Sequence, residues 1–241
     1  MDLITVDDPA EAGVVMADIV CEAVDSGIRY LGLATGSSPL PAYRELIARH
    51  RAGRVSFAGT QAYLLDEYVG LPAGHPQSYA QVIRDEFTDH IDIDAVHGPD
   101  GTAADPAQAA QAYDAELCAI GGVDLQILGI GANGHIAFNE PSSPLTSRTR
   151  PATLTEQTRA DNARFFDHPD DVPRLVITQG LATISSAAHL LLVATGTHKA
   201  RAIADAVAGP VSPACPASVL QAHPHATVVV DTAAAGMLLH H

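Results

Sequence analysis

The sequence predicts an α/β fold: an open, mostly parallel central sheet flanked by helices, with a polar insert in its second half. Two observations carry that prediction. Short apolar runs alternate with longer helical patterns along the chain, the mark of βαβ units. Two of the runs end in an echoed loop, Leu33-Ala34-Thr35-Gly36-Ser37 and Val193-Ala194-Thr195-Gly196-Thr197. Each loop opens a helix, so both belong at the carboxyl edge of a parallel sheet, where ligands bind at a switch in strand order. No linker, low-complexity tract or long repeat divides the 241 residues, and residues 1–241 read as a single domain.

Taken in order, Pro9 to Ser26 reads as a helix, Arg29 to Ala34 as a buried strand, and Pro39 to Arg51 as a helix with proline near its start. Ala62 to Leu65 is the next strand. A Gly/Pro-rich loop leads to a helix over Ser78 to Phe87, and an Ala/Gln-rich helix covers Pro106 to Ile120. After Gly121-Gly122 comes the strand Leu125 to Ile130. Residues 142–173 are polar and Arg-containing and read as a mobile insert. Alternation then resumes with strands Arg174 to Thr178 and His189 to Ala194, a helix His198 to Ala208, and a last strand Ala226 to Asp231.

Charge narrows the function. The chain carries 28 acids against 13 bases, a net charge of −15, and Lys199 is its single lysine. A phosphate backbone or an anionic membrane is held by clustered Lys and Arg, so neither is an expected partner. A small phosphorylated ligand would need the few cations gathered at its site. The acidic N-terminus lacks a signal-peptide pattern, and no apolar run approaches the roughly 20 residues that span a bilayer. The expected location is the cytoplasm. Cys21, Cys118 and Cys215 form no CxxC pair and read as small core residues. His223-Pro-His225 and the terminal His240-His241 lack a third ligand at suitable spacing, so no metal is expected.

Five segments could carry chemistry. The Ala-Thr-Gly loops have the composition of anion sites, with glycine for close backbone approach and hydroxyl donors before a helix; plain helix capping is the alternative. Lys199 lies four residues after Thr195. Gly129-Ile-Gly-Ala-Asn-Gly134 is a literal GxGxxG after a strand, yet a dinucleotide site requires a helix to follow at once. Here Pro141 and Pro144 follow instead, so the alternative is a tight loop presenting Asn133, His135 and Glu140, an imidazole flanked by an amide and a carboxylate. Asp66-Glu67 ends an apolar strand, where adjacent side chains point to opposite faces. One of them could serve as a general base, and a solvated strand end is the alternative. Finally, Arg148, Arg150, Arg159, Arg164 and Arg174 concentrate positive charge in the polar insert.

Together the segments Gly32-Leu-Ala-Thr-Gly-Ser-Ser-Pro39, Leu65-Asp-Glu-Tyr-Val-Gly-Leu-Pro72, Ser78-Tyr79, Gly129 to Pro141, Ser147-Arg-Thr-Arg150, Asn162-Ala-Arg-Phe-Phe166 and Gly196-Thr-His-Lys199 resemble the glucosamine-6-phosphate deaminase family, within the group that includes the 6-phosphogluconolactonases. The match runs in family order over nearly the whole chain. It implies a Rossmann-like open α/β fold and an aldose–ketose isomerisation coupled to deamination: D-glucosamine 6-phosphate and water give D-fructose 6-phosphate and ammonia. By the same resemblance His135 opens the pyranose ring, supported by Glu140 and Asn133, and Asp66 moves a proton from C2 to C1. Thr35, Gly36, Ser37, Arg164 and Lys199 would hold the phosphate, and residues 142–173 would close over the sugar as a lid. No cofactor is implied.

Two departures from the family pattern bear on mechanism. Many members carry Asp where this chain has Asn133, which cannot ionise. Regulated hexameric members place a lysine two residues after the arginine matching Arg150, where this chain has Ala152, and continue into a C-terminal extension. The expectation is an unregulated monomer or weak homo-oligomer. A sugar-phosphate lactonase and a non-catalytic sugar-phosphate sensor are the competing readings; the sensor would need neither Asp66 nor His135.

Overall fold

The computed structural model describes residues 1–238, so His240 and His241 lie outside the described residues. Seven strands form one parallel sheet in the order β1-β10-β9-β6-β2-β3-β5. Their ranges are β1 Asp2–Val6, β2 Tyr30–Leu33, β3 Gln61–Leu64, β5 Ala95–His97, β6 Leu125–Leu128, β9 His189–Ala194 and β10 Ala226–Asp231. From β2 the chain steps to β3 and β5 on one side, and from β6 to β9 and β10 on the other, where the first strand, β1, forms the edge. The order therefore reverses between β2 and β6, and a crevice opens outside their carboxyl ends.

Helices α1 (Pro9–Asp25), α2 (Leu40–Arg51), α3 (Tyr79–Glu86) and α4 (Pro106–Ala119) follow the sequence pattern to within about a residue at each end. Each has a local reason to start. Asp8 caps α1 by accepting from the N–H groups of Ala10 and Glu11, and Asp105 caps α4 by accepting from Ala107 and Gln108. Where α1 crosses α2, Gly13 lies so near Pro41 that a Cβ would sit 2.6 Å from the proline Cβ. The core behind them holds Tyr43 stacked on Phe87, with ring centroids 4.5 Å apart. The Tyr43 hydroxyl donates to the Ala34 carbonyl at 2.8 Å and fixes the end of β2.

The structure differs from the sequence pattern after β3. The strand stops at Leu64, and the chain changes sheets at Leu65. Residues Asp66–Tyr68 form β4 of a second, three-stranded antiparallel sheet, completed by β8 (Leu175–Thr178) and β7 (Arg150–Thr153) in the order β4-β8-β7. The corner is pinned by three hydrogen bonds: Tyr113 Oη and Gln179 Nε2 donate to the Leu64 carbonyl at 2.7 and 3.0 Å, and the Gln179 N–H to Leu65 at 2.7 Å. The polar insert also has more structure than its composition indicates, because it supplies β7, helix α5 (Glu156–Asn162) and 3-10 turns at 163–165 and 169–171. Short helices α6 (Leu181–Ile184) and α7 (Ala200–Val207) complete the chain. Among the described residues no helix is long and apolar enough to cross a membrane.

Candidate active site

The crevice at the β2/β6 switch is a cavity of about 810 Å³. Thr35, Gly36, Ser37, Asp66, His135, Arg164 and Lys199 all line it. Asn133 and Glu140 stand behind His135 and reach the cavity through it.

The two echoed loops are not helix caps. Neither Pro39 at the start of α2 nor the Gly196 and Lys199 positions before the turn 197–199 and α7 carries a capping side-chain hydrogen bond. Gly36 and Gly196 both take positive φ, +94° and +88°, which only glycine adopts cheaply. The second loop is fixed from beneath: the buried Asp231 carboxylate accepts from the N–H of Gly196 at 2.9 Å and of Ala234 at 2.7 Å. The sequence overstates this loop in one respect. A 3-10 turn at Thr197–Lys199 intervenes before α7 begins.

No helix follows the GxGxxG string; a tight turn closed by the bridge Ile136↔Asn139 takes its place. The glycines serve the imidazole instead. A Cβ built on Gly131 would collide with the His135 ring, and Gly134 combines a φ of +85° with a Cys215 Sγ that would sit 2.7 Å from a Cβ. Ala137 in the same turn has φ +50°, a conformation that costs energy outside glycine. Buried Asn139 closes the turn, donating to the carbonyls of Ile136 and Gln179 at 3.1 and 2.8 Å.

Behind His135, Glu140 is gripped at both oxygens. Asn133 Nδ2 donates to Oε2 at 2.8 Å, and Thr158 Oγ1 of α5 donates to Oε1 at 2.6 Å. Asn133 Oδ1 in turn accepts from the His135 N–H at 3.2 Å. The amide at 133 thus donates and accepts at once, which an ionised aspartate could not do. The Glu140 carboxylate lies 3.7 Å from His135 Nδ1.

Asp66 and Glu67 are both buried, so neither is a solvated strand end. They divide the work as a strand's alternation requires: Asp66 faces the cavity, while Glu67 turns away and accepts from the N–H groups of Tyr68, Tyr79 and Ala80 at 2.8 to 2.9 Å. Burial, and secondarily the charge of Glu67, push Asp66 well above the ordinary carboxylate range. Burial also raises Glu67, against the pull of its three N–H donors.

Of the five arginines from Arg148 to Arg174, Arg164 alone lines the cavity, its guanidinium 4.7 Å from the centre of the Phe165 ring. The others serve the fold: Arg148 pairs with Asp114 at 3.0 Å, Arg174 reaches Glu156 at 3.7 Å, and buried Arg159 donates to the Val172 carbonyl at 3.2 Å. Arg150 donates to Asn139 Oδ1 at 2.9 Å and Ser143 Oγ at 3.3 Å. Ala152, two residues on, packs against the small core of Tyr68, Phe138, Leu154 and Val176.

Sequence reasoning assigned no role to several residues that the structure brings to the cavity. Tyr68, Tyr79, Phe138 and Phe166 form an aromatic wall, and Asn162 Nδ2 donates to the Tyr68 hydroxyl at 2.8 Å. Thr158 and Asn162 are four apart on α5, a same-face spacing legible in the sequence, but their partners lie 18 and 94 residues away. Among the described residues no cluster of three or more His, Cys, Asp or Glu could hold a metal ion. Both ring nitrogens of His223 already lie within 2.9 Å of main-chain carbonyls.

Comparison with known proteins agrees with this architecture. Residues 10–230 match the family model described as glucosamine-6-phosphate isomerases/6-phosphogluconolactonase. The glucosamine-6-phosphate deaminase of Rhodococcus opacus is 57% identical over 240 residues, covering 99% of this chain and 93% of that protein. The deaminase of Streptomyces coelicolor is 56% identical over 246 residues, covering 99% and 93%. A solved structure of a monomeric glucosamine-6-phosphate deaminase superposes with a TM-score of 0.95 at 38% identity, covering 98% of this chain and all of that one. The 6-phosphogluconolactonase of Trypanosoma cruzi shares the fold at a TM-score of 0.79 and 19% identity, covering 98% of this chain and 96% of that one. The chain belongs to the glucosamine-6-phosphate isomerase/6-phosphogluconolactonase family.

Proposed function

We propose that this chain converts D-glucosamine 6-phosphate and water to D-fructose 6-phosphate and ammonia. The observation that carries the proposal is a buried carboxylate, Asp66, lifted above the ordinary carboxylate range, opening onto the same cavity as a backed imidazole and the chain's single lysine.

Each step has a residue suited to it. His135, with Glu140 and Asn133 behind it, moves the proton from the anomeric hydroxyl to the ring oxygen, and the pyranose opens to an aldehyde. The Asp66 carboxylate takes the C2 proton, acidified by the adjacent carbonyl, while the C2 ammonium gives a proton to the C1 oxygen, leaving an enolamine. The same proton returns at C1, leaving a ketose with an imine at C2. Water adds to that carbon, the C–N bond breaks, and ammonia departs. A carboxylate with a raised pKa is a stronger base toward a carbon acid, and a positioned acid/base is worth roughly 10² to 10⁴ in rate. The phosphate is held by the 35–37 loop with Arg164 and Lys199, and residues 142–173 act as a lid that excludes water from the enolamine. Proton transfers by these side chains account for every step without a cofactor.

We further propose a cytoplasmic enzyme acting as a monomer or weak homo-oligomer without activation by N-acetylglucosamine 6-phosphate. Three free thiols suit a reducing compartment, and Arg150 is engaged by Asn139 and Ser143 while position 152 offers no cation. The test of the main proposal is direct. Ammonia must appear from glucosamine 6-phosphate in a one-to-one ratio with fructose 6-phosphate. Hydrolysis of 6-phosphogluconolactone without ammonia release from the amino sugar would overturn it.

A further inference from the structure

We propose that Thr158 is a positioning residue that sets the separation of Glu140 from His135, so that seating α5 tunes the proton affinity of the imidazole. The proposal rests on the roles assigned above to His135 and Glu140.

The geometry argues it from both sides of the carboxylate. Glu140 belongs to the loop after β6, yet one of its oxygens is held by that loop, through Asn133 at 2.8 Å, and the other by α5, through Thr158 at 2.6 Å. With both oxygens engaged, the carboxylate stays 3.7 Å from His135 Nδ1, beyond hydrogen-bond length. The Thr158 hydroxyl is itself oriented. Thr155 caps α5 by accepting from the Thr158 N–H at 3.1 Å, and the two hydroxyl oxygens lie 2.9 Å apart. A hydroxyl has one proton. Since Thr158 gives its proton to Glu140, Thr155 is the donor between the two threonines. One turn further along α5, Asn162 donates to the Tyr68 hydroxyl, two residues after Asp66. The same helix face therefore latches onto the strand carrying one acid/base group and onto the carboxylate backing the other.

The chemical consequence has a definite sign. A donor on Oε1 disperses the negative charge of Glu140 and holds it off the ring. Without that donor the carboxylate is free to close on Nδ1 and stabilise the imidazolium, so His135 titrates at higher pH. Among the described residues, the charged and titratable groups lining the cavity from other elements are Asp66 on β4, Asp85 and Glu86 on α3, and Arg164, His198 and Lys199. They are common to every variant below, and Glu140 and Asn133 are the polar partners on the loop of His135 itself.

The test compares the full-length protein with Thr158→Val and Thr158→Ser, following the His135 imidazole by NMR titration and kcat by ammonia release across pH. Thr158→Val removes the donor at nearly constant volume, and the His135 midpoint is expected to rise by roughly half to one pH unit. The acid limb of kcat moves with it, lowering kcat on that limb about three- to tenfold. Thr158→Ser restores the wild-type midpoint. In a Glu140→Gln background, Thr158→Val leaves the midpoint unchanged, because no charge remains to be released. Equal midpoints in wild type and Thr158→Val would overturn the proposal, as would an equal rise in Thr158→Ser. The titration needs no turnover, so absence of ammonia release from the wild type would sink the proposed function while the midpoints still decide the part played by Thr158.

Discussion

Asp66 is buried beside Glu67, and both conditions penalise its ionised form. In the proposed mechanism that penalty is what makes it a base. Asp66→Asn keeps the shape and hydrogen-bonding reach of the side chain but cannot take the C2 proton; kcat should fall by about 10²- to 10⁴-fold while KM stays within a fewfold. A variant that retains wild-type kcat removes Asp66 from the mechanism. Lys199 is a different case, since in the proposed reaction it holds a phosphate that does not change. Uniform binding of that kind appears in KM, so Lys199→Ala should raise KM roughly tenfold or more with kcat little altered. A steady-state comparison separates the two residues, and an unchanged KM would take Lys199 out of the phosphate site. That Asp66, His135 and Lys199 share one cavity was legible in the sequence because each is chemically conspicuous where it stands: an acid after an apolar strand, an imidazole on a glycine loop, a single lysine. Thr158 was not, because a threonine among polar residues gains meaning only from Glu140, and that contact is tertiary.

Among the elements, the strands at His189–Ala194 and Ala226–Asp231 were legible to the residue, being continuous apolar runs buried in the middle of the sheet. The ones that escaped notice have a common cause. β1 is a short Leu-Ile-Thr-Val run largely exposed at a sheet edge, β5 has three half-buried residues, and β4 (Asp-Glu-Tyr) and β7 (Arg-Pro-Ala-Thr) show no apolar run, so none has the long buried run that marks a central strand. β4 matters most, since the change of sheet at Leu65 is what turns Asp66 into the cavity. Its neighbour Glu67 ties β4 to the N-terminus of α3 through the N–H groups of Tyr79 and Ala80, and accepts a third bond from Tyr68 on β4 itself. Hydrogen bonds to a charged acceptor are worth about 1.5 to 3 kcal/mol each before desolvation is subtracted. Glu67→Gln relieves the buried charge but weakens all three bonds and sets an amide NH₂ among donors. The expected outcome is a Tm lower by about 2 to 4 °C in thermal melts at pH 7, together with a reduced kcat as β4 loosens. A Tm at or above wild type would mean that burial of the charge outweighs the cap.

Across the whole molecule, the two ends of the parallel sheet titrate with opposite sign. At the carboxyl end, Asp66 has a folded pKa well above its unfolded value near 3.9. Its ionisation is therefore resisted by folding, and the destabilisation, absent below the unfolded value, is complete once the pH exceeds the raised folded value. At the amino end, His189 lies parallel to His225 with ring centroids 3.6 Å apart, and burial, then the neighbouring His225 and His223, lower it to about 4. The unfolded chain thus binds a proton at His189 that the folded chain refuses, so stability is lost as the pH falls from the unfolded value near 6.5 toward 4. Where their windows overlap, above about pH 4, these two contributions oppose each other in the wild type, and substitution should uncover each in turn. Asp66→Asn removes the carboxyl-end penalty: Tm at pH 8 rises by about 2 to 4 °C, and the loss on acidification becomes steeper than in the wild type. His189→Gln removes the amino-end term, and its Tm between pH 7 and pH 5 should hold or rise. Thermal melts of the three proteins across pH 8 to 4.5 decide the matter. Parallel curves for all three would show that neither group couples to folding, and a shallower acid loss in Asp66→Asn would mean that Asp66 titrates below, not above, its unfolded value.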